Sequence, residues 1–502
     1  AFMVADKVEI LTKSYKDAPA VKWTCDGSPE FTLEEIDKKE RGTEIILHIA
    51  EDSLEFLEKF RIEQLLQKYN KFMPIPIKFG TRTEYLPLPE DAPEDAKQET
   101  KEVDNIINNT NPAWTKAPSE LTDEDYLNFY RELYPTQFEE PLFWIHLNVD
   151  YPFNLTGILF FPKLANDINI DKDKIQLYQN QVFVTDEVKG IVPDFLMLLR
   201  GVIDSPDIPL NVSRSYLQAD GAVKKISQYI SRKVADKMNS LLKDDRESFE
   251  KKWNDIKVVL EYGVVSEEKF AERSEKFMLY PTVNNEYFTW DELTEKIKEN
   301  QTNKDGEMVV LYSSNPDSQD AYIQTALDKG YEVLLFDSPI ASHFIQRMEH
   351  EKEKVKFSRV DADHIQNLIQ KDEPIIARLS DEEKESLKTE IEKAIDNKSF
   401  TVKLEDLSMD DAPFVITQPE FMRRMKEMQQ AGGNMFAMGD FPQMFNLIVN
   451  SNSDLANEIL KKPEEEKEAL INQALDLAKL SQNLLKGKEL TDFIKRSFEL
   501  MK

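Results

Sequence analysis

Arg214 is the side chain whose surroundings best suit chemistry. It follows Asp207-Ile208-Pro209-Leu210-Asn211, an extended loop stiffened by Pro206 and Pro209, and precedes a helical pattern. A guanidinium there can offer its planar fork to a phosphate and neutralise charge developing on it. Gln218, four residues on, shares its face if Arg214 opens a helical turn. The same spacing suits a surface arginine in an ion pair, and spacing alone favours that reading. Other catalytic signatures are missing. There is no GxGxxG, no GxxxxGK[ST] and no GxSxG. The 14 glycines in 502 residues are far below the usual ~7%, so little material exists for phosphate-cradling loops. The five histidines form no HExxH, and no metal site is expected.

A second set of residues suits binding rather than catalysis. The segment from Phe421 to Phe445 holds Met422, Met425, Met428, Met435, Met438 and Met444, six of the chain's 15 methionines. Met adapts to varied apolar shapes, so such a face suits a promiscuous binder as well as an ordinary core helix. Gly432-Gly433 breaks the helical pattern in its middle. Further on, Leu470, Leu477 and Leu484 recur every seven residues, beside a stripe of Ile471, Ala474, Leu475, Ala478 and Leu485. Leu490, Phe493, Ile494, Phe498 and Met501 line a final helix. Two helices this apolar need cover. Pairing two copies gives a four-helix bundle and a two-fold dimer, and packing onto 400–460 is the other solution. Trp114 is either a core anchor or an exposed contact.

Several elements must position these groups. Residues 3–50 read as strands: Val8, Ile10 and Thr12 alternate with polar neighbours, as do Val21 and Trp23, and Ile45 to Ile49 follows Arg41-Gly42. A helix from Leu54 to about Tyr69 is expected to cover that sheet, thinly. The acidic, proline-bearing run from Leu86 to Asp95 reads as a linker. Strands are expected over 143–149, 157–161 and a hairpin over 175–185, with helices over Val223–Leu241 and from Phe249 to Leu260. Between Met308 and Val360 the pattern is a small βαβαβ unit, whose strand ends would be its default ligand crevice. Its loop Ser313-Ser314-Asn315-Pro316 has no glycine, which suits a structural role.

Composition narrows the function. Lys plus Arg number 64 and Asp plus Glu 94, a net charge of −30, which argues against nucleic acid and anionic membranes as partners. Cys25 is the only cysteine, so no internal disulfide forms and a reducing compartment, the cytoplasm, is expected. No run of 18 apolar residues exists. The chain opens Ala-Phe-Met-Val and reads as starting inside a domain.

Three phrases carry a resemblance. Asn108-Asn109-Thr110-Asn111-Pro112-Ala113-Trp114-Thr115-Lys116 is followed by Leu121-Thr122-Asp123-Glu124-Asp125-Tyr126, and later by Arg200-Gly201-Val202-Ile203-Asp204-Ser205-Pro206-Asp207-Ile208-Pro209-Leu210-Asn211-Val212-Ser213-Arg214. Together they resemble the middle domain of the ninety-kilodalton heat-shock chaperone family in its bacterial branch. Phe2 to Val8 resembles a late strand of that family's N-terminal ATPase domain.

The resemblance implies a multidomain α/β and α+β chain. Residues 1–80 would be the remnant of the ATPase domain, a partial β-sheet with its last helix, and 81–104 the acidic linker. Residues 105–370 would be an α/β middle domain, with a large part at 105–262 and the small βαβαβ subdomain within 263–370. Residues 375–502 would be a mostly helical C-terminal dimerisation domain.

The resemblance also implies roles. The full-length protein would use ATP and Mg, with Arg214 and Gln218 reaching the nucleotide and Thr43 near the adenine. This chain lacks the opposing pocket wall and is expected to bind no nucleotide and turn none over. Trp114 and the methionines would contact unfolded or partly folded client proteins. Leu470, Leu477, Leu484, Phe493, Ile494 and Phe498 would build a homodimer. The reading is a molecular chaperone. The alternatives are a small-ligand enzyme using 308–360 and a purely structural dimerisation scaffold.

Overall fold

Alternating side chains fold the first fifty residues into a four-stranded antiparallel sheet. Its strands are β1 (Ala5–Lys13), β2 (Ala20–Cys25), β3 (Thr32–Ile36) and β4 (Gly42–Ile49), in the order β3-β2-β1-β4. Register places Leu33, Trp23, Ile10 and Ile45 in one row across the sheet. Leu33 and Ile45 at the ends of that row are both 61% exposed. The computed structural model describes residues 1–85, 100–163, 174–208, 221–371, 376–395, 399–409, 411–419, 424 and 444–500. By packing, the chain divides into two compact units. One comprises residues 1–162, 169–192 and 199–227, and the other residues 163–168, 193–198 and 228–502.

The helix expected to cover the first sheet does something else. Residues Glu51–Leu57 form a 3₁₀ turn, Glu58 is extended, and α1 runs over Lys59–Asn70. The partner of α1 is a later strand. A hairpin of β5 (Lys78–Tyr85) and β6 (Thr100–Ile106) follows, and the helix α2 (Asp123–Leu133) is capped by Thr122, whose hydroxyl accepts from the Asp125 amide at 3.3 Å. Next come β7 (Phe143–Val149), β8 (Leu155–Phe161), β9 (Ile175–Gln179), β10 (Val182–Thr185) and β11 (Arg200–Asp204). They form a sheet ordered β10-β9-β11-β8-β7, in which β11 runs parallel to β9 and antiparallel to β8. α1 lies against β10, with Tyr69 and Phe183 ring centroids 5.9 Å apart.

An aromatic core holds this unit together. The fully buried Trp114 meets Phe72 at 4.7 Å, Tyr178 at 5.3 Å and Phe129 at 5.5 Å between ring centroids. Tyr134 and Tyr130 on the last turn of α2 and just beyond it bind β11: the Tyr134 hydroxyl accepts from the Gly201 amide, and Arg200 donates to Tyr130, both at 2.7 Å. Gly201 has φ +134°, and a Cβ there would lie 2.0 Å from the Ile158 carbonyl oxygen of β8. Strands β8 and β11 can therefore approach this closely only with glycine at 201.

The second unit is built around helices and three small sheets. Residues 228–244 of α3 (Gly221–Asp244) belong to it and bury Ile230, Val234 and Met238 at helical spacing. α4 (Arg246–Ser266) packs on α5 (Glu268–Ser274), where Gly263 lets Phe195 and Phe270 come within 4.6 Å. A two-residue pairing of β12 (Tyr280–Pro281) and β13 (Tyr287–Phe288) leads into α6 (Trp290–Ile297). The βαβαβ unit is present as β14 (Met308–Ser313), α7 (Pro316–Asp328), β15 (Val333–Leu335), α8 (Ala341–Glu351) and β16 (Val355–Arg359). It is an all-parallel sheet ordered β15-β14-β16. α9 (Ile365–Leu368) and α10 (Asp381–Ala394) follow.

The last sheet comes from three short strands far apart in sequence: β17 (Phe400–Glu405), β18 (Phe414–Thr417) and β19 (Phe445–Asn450). β19 is central, parallel to β17 and antiparallel to β18. α11 (Asp454–Lys461), α12 (Glu464–Ser481) and α13 (Gly487–Leu500) complete the chain's described part.

A charged cluster lies where α4 meets the loop after β15, with Lys257 and Glu261 buried and Asp337 exposed. Lys257 Nζ lies 2.5 Å from Asp337, and Glu261 accepts from the Ser338 hydroxyl. Burial pushes the Glu261 carboxyl up to about 7, against the opposing pull of Ser338 and Lys257. Its folded value lies above the unfolded one, so the folded state holds an extra proton between about pH 4.5 and 7, and stability falls as pH rises through that window. Glu261→Gln keeps the Ser338 bond and removes the ionisation. The variant should match the parent near pH 5 and exceed it at pH 8 by roughly 1–3 kcal/mol in urea unfolding. A difference independent of pH would show that Glu261 does not titrate in this range.

Candidate functional site

Asp204, at the end of β11, fixes where the loop toward Arg214 departs. Its carboxylate accepts the Asn180 and Gln181 amides, both at 2.8 Å, and the Trp114 indole N–H at 3.3 Å. Asn180 and Gln181 form the β9–β10 turn with φ of 51° and 63°, which aims both N–H groups at one point. Burial raises the Asp204 pKa, while those three donors oppose the rise. The chain beyond is pinned again. Ser205 Oγ donates to the Asn154 carbonyl at 2.6 Å, and Asp207 accepts from the Asn154 amide at 2.6 Å. Gln179 donates to the Pro206 carbonyl at 3.2 Å. Arg214 and Gln218 themselves lie outside the described residues.

Trp114 takes the core-anchor position of its two readings. Its ring has no exposed surface and its N–H is spent on Asp204, so as placed it offers nothing to a client. Thr43 sits on the exposed face of β4 with its hydroxyl 2.7 Å from that of Thr12. One hydroxyl on an open sheet does not make a nucleotide pocket, and the described residues around it do not fit ATP or Mg.

The default crevice of the βαβαβ unit is closed by its own side chain. Gln319 Oε1 accepts from the Ser314 and Asn315 amides at 3.0 and 3.2 Å, and from Ser313 Oγ at 2.7 Å. The loop amides that would meet a phosphate are thus already satisfied. That weakens the enzyme reading, which rests on this crevice. Among the described residues no group of three His, Cys, Asp or Glu side chains is arranged to hold a metal, and no helix is long and apolar enough to cross a membrane.

Met422, Met425, Met428, Met435 and Met438 lie outside the described residues. Their flanks are anchored. Arg424 grips Glu349 at 2.7 and 3.2 Å and the Phe357 carbonyl at 2.9 Å. On the β18 side, the Tyr322 hydroxyl donates to the Ile416 carbonyl at 2.5 Å, and the Gln418 amide donates to Asp361 at 3.2 Å. Met444, at the start of β19, is exposed.

The C-terminal hairpin divides its apolar surface in two. Ile471, Leu475 and Ala478 are buried in a core with Val402, Ile416, Leu447, Leu387 and Ile459, and Leu485 is buried as well. Leu470, Ala474 and Leu484 pack partly against the same core, and Phe493 is buried. So packing onto 400–460 accounts for the adjoining stripe. The other face stays open: Leu477 is 53%, Leu480 41%, Ile494 44% and Phe498 64% exposed. Arg496 pairs with Asp476 and donates to Gln473 at 3.2 Å, which locks α12 to α13 and holds that face in shape.

A family model described as Hsp90 protein matches residues 89–487. The chain belongs to the Hsp90 family. It is 47% identical to the chaperone protein HtpG of Bacteroides thetaiotaomicron over 570 aligned residues, which cover all of this chain and 82% of that protein. It is 45% identical to HtpG of Porphyromonas gingivalis, with the same coverage. HtpG of Oceanobacillus iheyensis is 34% identical over 369 residues, 70% of this chain and 57% of that protein. The Hsp90 match spans the Trp114 and Asp204 network, the closed βαβαβ crevice and most of the C-terminal hairpin.

Removing the Asp204 carboxylate tests the loop anchor. Asp204→Ala leaves two turn amides and an indole N–H buried without acceptors, and should cost roughly 2–4 kcal/mol in urea unfolding. Asp204→Asn keeps one acceptor oxygen and should cost less. Equal losses for both variants would mean that the charge, rather than the acceptor geometry, holds the turn.

Proposed function

We propose that this chain acts as the dimeric, client-holding part of an ATP-driven Hsp90 chaperone. The observation that carries the proposal is the open apolar face of the hairpin, Leu477, Leu480, Ile494 and Phe498, on helices whose inner stripe is already committed to a core. A rigid apolar face beside a filled core calls for a second surface, and a two-fold copy supplies the matching one. Family membership supports the same arrangement. Clients are taken to be non-native proteins, met by the methionine-bearing segment between β18 and β19. The setting is cytoplasmic.

In the ATP-bound full-length protein, Arg214 and Gln218 would neutralise and orient the γ-phosphate from the middle domain. The pinning of Asp204, Ser205 and Asp207 supports that role, because it fixes the root of their loop. No step is assigned to ATP in the present chain.

Charging the open face separates assembly from folding. Leu477→Glu with Phe498→Glu changes two exposed residues, so the fold should survive while the dimer dissociates to monomers in light scattering. Closing the dimer over two unpaired carboxylates would cost several kcal/mol, on the order of 2–5 per group. A dimer that persists in the double variant would place the interface elsewhere. Met425→Ser with Met428→Ser should weaken suppression of client aggregation and leave the melting temperature nearly unchanged. A large fall in melting temperature would instead assign those methionines to the core.

A further inference from the structure

A cleft of about 800 Å³ opens in the second unit, between the βαβαβ subdomain and the end of β17. The elements bordering it precede β14 and β15, so it lies at the amino ends of those strands, away from the crevice that Gln319 closes. Its walls carry three lysines. Lys304 sits in the turn before β14, Lys329 at the end of α7 and Lys371 after α9. All three are exposed.

The charges along this cleft are unevenly matched. Glu405 and Asp406 also line it, and both are occupied. Asp406 pairs with Lys384 at 2.7 Å and accepts from Ser451 at 2.5 Å. Glu405 accepts from Asn367 at 2.5 Å, and burial raises its pKa, which favours its neutral form. The lysines have no such partners. Among the described residues, Lys371 donates to the Thr302 and Glu299 carbonyls, at 3.0 and 3.5 Å, and none of the three lysines forms an ion pair. In a chain of net charge −30, this cleft gathers three ammonium groups that have no ion-pair partner among the described residues. Their mutual repulsion is relieved by an anion placed between them, and a concave site strengthens that attraction over a flat surface.

We propose that this cleft binds a small, multiply charged phosphate compound through Lys304, Lys329 and Lys371. The cleft's lining carries these ammonium groups beside the first turn of α9, and their charge supplies the attraction for a phosphate. Lysine suits this role, since it offers a point charge with three donors and no fixed direction. The site lies where the α/β subdomain meets β17, so an occupant stiffens that junction and stabilises the chain by binding only its folded form.

The test is calorimetric titration of the chain with sodium pyrophosphate in about 0.1 M salt, where screening still allows surface charges to act. One saturable site per chain is expected, with a rise in melting temperature and weaker binding as salt increases. Lys304→Gln with Lys329→Gln should weaken binding at least about tenfold, and both positions are exposed enough for the fold to stay intact. Lys243→Gln, on the last turn of α3, serves as the control and should change nothing. The proposal is overturned if pyrophosphate gives no saturable signal at millimolar concentration, or if the double variant binds as tightly as the parent. Hexaglutamate is titrated in parallel. Lysine-dependent binding of that peptide without pyrophosphate binding would make the cleft a groove for acidic peptides, which also overturns the small-anion assignment.

Discussion

A single buried carboxylate organises the first unit. Asp204 draws together the β9–β10 turn, the Trp114 indole and the end of β11, three features distant in sequence. Burying a charge is costly, and only a full set of donors makes it tolerable. The turn backbone meets that requirement by adopting positive φ at two non-glycine residues, Asn180 and Gln181. The hydrogen bonds from the turn amides to the acid offset both the strain in the turn and the desolvation of the carboxylate. Trp114 then fixes where α2 and Phe72 can sit, and Phe72 is where the segment after α1 enters the core.

Some of this was legible in the sequence. Alternation placed β1, β2 and β4, the β9–β10 hairpin and the parallel βαβαβ unit, because each obeys a local period. The phrase around Asp204 drew attention to this loop, although nothing in it told that the carboxylate faces inward. The destination of α1 was not legible. Its apolar residues suggested cover for the sheet beside it, yet Tyr69 meets Phe183, more than a hundred residues away. Periodicity says which side of a helix is apolar and is silent about the partner.

The C-terminal sheet was missed for a related reason. β17, β18 and β19 are each six residues or fewer, and β17 pairs in parallel with a strand more than forty residues on. Short strands joined over such distances leave no local signal. In the hairpin the sequence showed more apolar surface than one interface needs. The structure apportions it, with Ile471 and Leu475 turned to the sheet and Leu477 and Phe498 left open. The plug on the βαβαβ crevice was likewise hidden, since a glutamine three residues past a proline carries no mark that it will turn back onto its own loop.

The pairing of β18 with β19 has a consequence for how the chain between them closes. Thr417 and Asn446 stand opposite each other in the ladder, so everything between them leaves and returns across one strand spacing, about 4.8 Å. For a loop closed in that way, doubling the length costs only about 0.6 kcal/mol in closure entropy. Both anchor points are fixed by main-chain bonds and are indifferent to the inserted sequence. The framework can thus act as a socket: the β18–β19 ladder sets the separation of its two posts, and the length of chain between them adds little to the cost of closing it.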